Sequence, residues 1–156
     1  MPRKRVVLLA LIAAVIVPVA VWAAVTGRYD GNLDRQRAKF RTEALITSST
    51  AWHDVPVLGV TICSINEVSA TLSVTLSGAR ARFRVLRGGG TVIRPGPAEF
   101  APNGVESFSY TFVTNTGPFG GDDHHSLKVQ WRSPTGAQVT MRSGDLNVLY
   151  ELGICP

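Results

Sequence analysis

The chain has 156 residues and a formal charge of +5, enough for one domain of ordinary size with a short extension. Residues 1–41 hold eight Lys/Arg against two aspartates, a net charge of +6, whereas residues 42–156 hold eight Lys/Arg against nine Asp/Glu, a net charge of −1. The nearly neutral larger part lacks the charge pattern of a nucleic-acid-binding domain, and we expect no nucleic-acid partner.

The first predicted element is an apolar segment, residues 6–25, which runs for twenty residues without a charge. As a helix it would be about 30 Å long, the thickness of a bilayer's hydrocarbon core. Basic residues 3–5 precede it and favour a cytoplasmic N-terminus. We predict a signal-anchor helix over residues 1–27, a single-pass position in the cell membrane and an extracytoplasmic C-terminal domain. The alternative is cleavage at Val21-Trp22-Ala23, which would make the protein secreted.

Residues 28–41, RYDGNLDRQRAKFR, are polar and contain no proline. They predict a basic stalk that follows the anchor. The stalk is either a short helix with Asn32 or Asp34 as its N-cap, or a disordered linker.

From Thr42 onward, apolar and polar residues alternate with a period of two. The clearest example is VSATLSVTLSG, residues 68–78, and the pattern recurs in RARFRVL, ESFSYTFV, SLKVQWR, QVTMR and LNVLYEL. Gly- and Pro-rich turn signals separate these stretches. The pattern predicts an all-β domain over residues 42–156, an antiparallel β-sandwich or jelly roll whose strands have one wet face.

Cys63 and Cys155 are the two cysteines of the chain. In an exported domain such a pair predicts a disulfide, which would close a loop of about 90 residues and contribute roughly 4 kcal/mol in the chain-entropy model. The alternative is a pair of buried free thiols.

One short stretch concentrates residue types that bind metals: Asp122, Asp123, His124 and His125. Adjacent strand residues point to opposite faces, so only two of the four share a side, and a zinc site would need a third ligand from His53 or Asp54. Calcium would instead use the two aspartates. The alternative, which we favour, is a solvated loop leading into a strand, and we expect no cofactor.

Three arginines, Arg80, Arg82 and Arg84, alternate along one predicted strand. Their guanidinium groups would fit the anionic groups of a sulfated or phosphorylated polymer. The alternative, which we favour, is a solvated face or a charged edge strand that discourages pairing.

Two further surfaces are suggested by hydroxyl and aromatic side chains. The Ser and Thr residues within 69–77 indicate either a carbohydrate-facing surface or a solvated face of good strand formers, and we favour the second. Trp52, Trp131 and Tyr110 suggest a sugar-binding platform, but Trp131 and Tyr110 alternate with polar neighbours and are predicted to lie in the core.

The C-terminal third, HHSLKVQWRSPTGAQVTMRSGDLNVLYE, resembles the closing strands of TNF-like jelly rolls found in bacterial and phage surface proteins. The shared pattern is a His-started strand that ends in Gln-Trp-Arg, a Gly-containing turn and a final strand. The resemblance implies a binding, adhesive or structural role and a homo-oligomer, often a trimer.

No catalytic residues are identified, because the sequence contains no Gly-x-Ser-x-Gly elbow and no distinctive carboxylate pair. We therefore predict a membrane-anchored, non-enzymatic binding or structural module of the cell surface, with a protein or glycan partner. One alternative is a subunit of a pilus-like filament or envelope assembly packed through its N-terminal helix. Another is a metal-dependent hydrolase built on His53, His124 and His125.

Overall fold

The computed structural model describes residues 35–88, 90–115 and 124–152, which form nine strands and no helix. The strands are β1 (Arg35–Arg41), β2 (Leu45–Thr47), β3 (His53–Gly78), β4 (Ala81–Arg87), β5 (Thr91–Val92), β6 (Ala98–Phe100), β7 (Val105–Asn115), β8 (His124–Arg132) and β9 (Val139–Leu152). Every pairing between them is antiparallel. The predicted all-β antiparallel class is confirmed for this part of the chain.

The predicted anchor, residues 1–27, lies outside the described residues. Within the described ranges there is no helix with the length and apolar character needed to cross a bilayer.

The strands form two layers that share β3. Sheet A has the order β1-β9-β3-β7, and β2 continues it beside the start of β9. Sheet B is built from β3, β8 and β4, with β5 and β6 beside β4. Residues 53–63 of β3 pair with β8, and residues 64–78 pair with β9 and β7. One long strand therefore passes from sheet B into sheet A.

The core is built from the alternate side chains of each strand. The apolar set that the alternation predicts in β3 is buried throughout: Val68, Ala70, Leu72, Val74 and Leu76. Phe83 of β4 is fully buried, and its ring centroid lies 5.7 Å from that of Phe100 and 5.9 Å from that of Trp131. Truncating a buried phenylalanine of this kind costs about 3–5 kcal/mol. The core position predicted for Trp131 is confirmed.

The predicted stalk requires a correction at its C-terminal half. Residues 35–41 form β1, which pairs with β9 from Arg35 opposite Tyr150 to Arg41 opposite Gly144. Gln36, Ala38 and Phe40 alternate with cations there, so the segment has the period of a strand. The local sequence pattern does not reveal this strand, because an edge strand buries little apolar surface and its hydrogen-bond partner is more than 100 residues away.

The start of β3 differs from the sequence prediction as well. The alternation indicates a strand from Val68, whereas β3 begins at His53. An irregularity in the pairing with β8 lies between Asp54 and Gly59, and Val57 within it has a φ of 74°. A bulge inserts an extra residue and shifts the alternation of buried and exposed positions. The first part of β3 therefore lacks the regular period of two by which a strand is predicted.

The closing segment follows the pattern behind the TNF-like resemblance. β8 ends at Arg132, a turn containing Gly136 follows, and β9 begins at Val139. The two strands do not pair with each other, because β8 lies in sheet B and β9 in sheet A.

Candidate binding surfaces

The outer surface of sheet A carries many short polar side chains, and we call this surface the hydroxyl face. On β3 and β7 it consists of Ser69, Thr71, Ser73, Thr75, Ser77, Ser107, Ser109 and Thr111, all of which alternate with inward-facing residues. Three cross-strand pairs are hydrogen-bonded: Thr71 with Thr111 at 3.0 Å, Ser73 with Ser109 at 3.2 Å, and Thr75 with Ser107 at 2.9 Å. Sequence alternation located both rows, but only the register between the strands brings them together.

These hydroxyl pairs keep hydrogen-bonding capacity for a ligand. A hydroxyl has one donor and two acceptor positions, so a pair that shares one hydrogen bond retains one O–H donor and several acceptor lone pairs. The same face continues onto β1 and β9, where Gln36 Nε2 donates to Asn147 Oδ1 at 2.8 Å. The surface therefore presents both donors and acceptors across four strands.

A groove of about 270 Å³ crosses the hydroxyl face, and β1, β9, β3 and β7 all contribute to it. At one end is Phe40, whose side chain is 71% exposed and whose cross-strand partner is Asp145. Hydroxyl-bearing residues contribute much of the lining, namely Thr42, Ser73, Thr75, Ser107 and Ser143, and Arg41, Val74, Phe108 and Gly144 complete it. An exposed ring, a carboxylate and several hydroxyls thus share one groove. No local sequence signal marks Phe40 or Asp145, because they are 105 residues apart and meet only through the pairing of β1 with β9.

The predicted anion-binding arginines lie on and beside β4, on the outer side of sheet B. Two of them bind the same carboxylate: Arg82 Nε donates to Glu99, and Arg80 Nη1 donates to Glu99 Oε1 at 3.4 Å. The hydrogen bond from Arg82, with the positive charge of both guanidinium groups, holds the pKa of the Glu99 carboxyl below its ordinary value of 4.5. Glu99 on β6 therefore occupies the anion position within the chain.

Arg84 is engaged by a different set of side chains. Its Nε and Nη2 donate to Gln130 Oε1 at 2.9 and 2.7 Å, and Gln130 Nε2 donates to Asp54 Oδ1 at 2.7 Å. The Arg84 guanidinium also lies 4.3 Å from the ring centroid of Trp52, and that of Arg132 lies 4.8 Å from it. These are cation–π distances, so the indole of Trp52 contacts both Arg84 and Arg132.

The suggested aromatic platform is not formed by the three residues considered for it. Trp131 is 3% exposed in the core. Tyr110 is half-buried, and its ring centroid lies 5.2 Å from that of Phe112. The Trp52 ring lies against the guanidinium groups of Arg84 and Arg132.

The four-residue metal hypothesis is only partly within the described structure. Asp122 and Asp123 lie outside the described residues, and His124 and His125 begin β8, opposite Cys63 and Ile62. His53 pairs with Trp131, six residues along β8 from His125 and so roughly 20 Å away at about 3.3 Å per residue. A zinc ion has ligands at about 2 Å, so His53 does not complete a metal site with these histidines. The three histidines therefore do not form the single hydrolase site suggested by the sequence. In residues 35–88, 90–115 and 124–152, no three His, Cys, Asp or Glu side chains come together as metal ligands.

The predicted disulfide involves one described residue. Cys63 is half-buried in β3, and Cys155 lies outside the described residues. The pairing of Cys63 with Cys155 stays a prediction.

Comparison with known proteins shows structural likeness and no family. No known family model matches the sequence, and neither does any curated protein sequence. The VP2 subviral particle of infectious bursal disease virus is 17% identical over 76% of this chain, with a TM-score of 0.46. This chain spans only 33% of that protein.

Two other solved structures are similar over comparable lengths. The CBM36-1 domain of a multidomain xylanase from the hindgut metagenome of Trinervitermes trinervoides is 9% identical, covers 77% of this chain and 100% of its own, and has a TM-score of 0.43. A protein of the disulfide-linked pili of Bacillus endospore appendages is 16% identical, covers 74% of this chain and 91% of its own, and has a TM-score of 0.32. Because all these TM-scores are below 0.5, the fold described above rests on the strand pairings, and none of these proteins supplies a function.

Proposed function

We propose that this chain is a non-enzymatic binding module and that the groove on its hydroxyl face binds a glycan. The observation that carries the proposal is the meeting of Phe40, Asp145 and the hydroxyl rows in one groove. The apolar face of a sugar ring packs on an exposed aromatic ring, while its hydroxyls need both donors and acceptors nearby. A carboxylate adds stronger, charge-assisted hydrogen bonds that fix the orientation of the sugar.

The hydroxyl face suits a neutral glycan better than a charged polymer. Its outward-facing β3 and β7 residues between 69 and 111 are uncharged, and the groove holds one acidic and one basic side chain, Asp145 and Arg41, so it has no net charge to attract a polyanion. On the opposite side of the domain, Glu99 already occupies two of the arginines that would attract an anion. We therefore assign a neutral polysaccharide as the ligand class.

The proposed location is the outer side of a cell membrane. In this proposal the apolar residues 6–25 retain the module in the bilayer, and cleavage of that segment would release the same module as a secreted protein. An extracytoplasmic position also permits the proposed Cys63–Cys155 disulfide. The register of β3 with β9 supports that bond, because Leu152 pairs with Ser64, the neighbour of Cys63.

The test is titration of the full chain in detergent with neutral oligosaccharides of glucan, mannan, xylan and chitin. We expect one of these to bind, and Phe40→Ala to weaken that binding about tenfold, because the stacking surface is lost. Asp145→Asn should weaken it as well. Ile46→Ala is the matched control, since Ile46 is 63% exposed on the neighbouring strand β2 but does not line the groove. Equal losses in the Phe40 and Ile46 variants, or no binding to any of the four glycans, would contradict the proposal.

A further inference from the structure

The edges of the two sheets are protected to different degrees. Along β1, cations occupy every second position: Arg35, Arg37, Lys39 and Arg41. The first part of β3 is interrupted by its bulge and by Pro56, and β5 and β6 have two and three residues. Charges, bulges, proline and short length are the devices by which proteins prevent an edge strand from pairing with another chain.

The remaining long edge among the described strands, β7, has only one of these devices, a single charge. It is an eleven-residue strand with the sequence VESFSYTFVTN, and Glu106 is its one charged residue. Phe108 and Tyr110 on its inner side are only half-buried. A long, nearly uncharged edge with partly exposed aromatic residues is a template for another strand.

The backbone bonds of Val113 show which groups of β7 point toward the open edge. Arg94 N–H donates to Val113 O at 3.2 Å, and Val113 N–H donates to Arg94 O at 2.8 Å, so both backbone groups of Val113 point away from β3. Directions alternate along a strand, so the N–H and C=O groups of every second residue face the same way. These residues are Val105, Ser107, Ser109 and Thr111.

We propose that two copies of this chain pair antiparallel through β7, about a two-fold axis at Phe108. In this register Val105 lies opposite Thr111 of the second copy, and Ser107 lies opposite Ser109. All four outward-facing residues of each copy are used, which forms eight main-chain hydrogen bonds. A register displaced by two residues in one direction would need Val113, which is already bonded to Arg94, and in the other direction would leave Thr111 unpaired.

The side chains are compatible with this register. On the inner side, Phe108 meets Phe108 of the second copy, and cross-strand aromatic pairs stabilise such contacts. Glu106 lies opposite Tyr110, so the two glutamates do not face each other. On the outer side, Ser107 meets Ser109 and Val105 meets Thr111, and the hydroxyl face continues from one copy to the other. The inference does not depend on glycan binding.

The test compares two double variants in which the same exposed residues are changed. S107K/S109K places lysine opposite lysine at both pairs across the axis, whereas S107E/S109K places glutamate opposite lysine. We expect the full chain in density-matched detergent to sediment as two copies in the wild type and in S107E/S109K, and as one copy in S107K/S109K. A single copy or three copies in the wild type, or loss of association in both variants, would overturn the proposal.

Hydrogen exchange distinguishes pairing through β7 from association through another part of the chain. The backbone amides of Ser107 and Ser109 should exchange at least tenfold more slowly in concentrated than in dilute wild-type protein, because pairing buries them. They should lose this protection in S107K/S109K even if that variant still sediments as two copies. Exchange that is fast and independent of concentration in the wild type would disprove pairing through β7 whatever the sedimentation shows.

Discussion

Arg82 and Glu99 lie opposite each other on β4 and β6, and their side chains form an ion pair to which Arg80 also contributes. A row of arginines that resembles an anion-binding ladder in the sequence is therefore occupied by a carboxylate of the same sheet. The carboxylate comes from a three-residue strand seventeen residues farther along the chain than Arg82.

Removing that carboxylate should expose the predicted anion site. We expect Glu99→Gln to bind heparin about two- to fivefold more tightly than the wild type, because Arg80 and Arg82 no longer pair within the chain. The readout is the salt concentration needed for elution from immobilised heparin. Glu67→Gln is the control, since it makes the same charge change on an exposed residue of β3. Equal elution of the two variants would show that the arginines of β4 do not contact the polymer.

The same pair predicts how stability depends on acid. The pKa of Glu99 is lowered in the folded protein, so its contribution to stability is present above the unfolded value of about 4.5 and is lost as the pH falls through the lower folded value. The difference in melting temperature between wild type and Glu99→Gln should therefore be constant at neutral pH and shrink below about pH 4.5. Thermal melts of both proteins between pH 7 and pH 3 measure this. A difference that grows on acidification would contradict the lowered pKa of Glu99 in the folded protein.

Gly78, which ends β3, is expected to be sensitive to substitution. Its φ is 94°, and a Cβ placed there would lie 2.7 Å from the backbone oxygen of Gln138. Gly104 has a similar φ of 90° but nothing within 4 Å of such a Cβ, so Gly104→Ala measures the conformational cost alone. We expect both variants to be destabilised, by about 1 kcal/mol for Gly104→Ala and by about 1–3 kcal/mol more for Gly78→Ala. Urea titration gives both values, and equal losses would show that the turn at Gln138 moves to accommodate the methyl group.

Reduction should destabilise the protein if the predicted disulfide forms. The bond would close a loop of about 90 residues and contribute up to roughly 4 kcal/mol, so the melting temperature should fall when a reductant is added. A double variant, C63A/C155A, provides the control because its melt should not respond to the reductant. Unchanged melting of the wild type under reducing conditions would indicate free thiols.

The alternation of residues in β4, β7, β8 and β9 was sufficient to predict the strands and their buried faces. Phe83, Phe112 and Leu127 are buried where the pattern puts them. Alternation is a local property, because each side chain on a strand points to the opposite face from its neighbour. Strands with a bulge or with little buried surface, such as the first part of β3 and all of β1, do not carry that signal.

The sequence by itself determined the all-β class, the apolar core positions and the hydroxyl rows, since each depends on residues within a few positions of one another. Tertiary structure alone decided that Phe40 stands beside Asp145, that Glu99 neutralises Arg82, and that β7 lies at an edge of the described strands. Those relationships depend on which strands become neighbours and in what register. Strand pairing joins residues far apart in the chain, and the local alternation that defines each strand does not specify its partner.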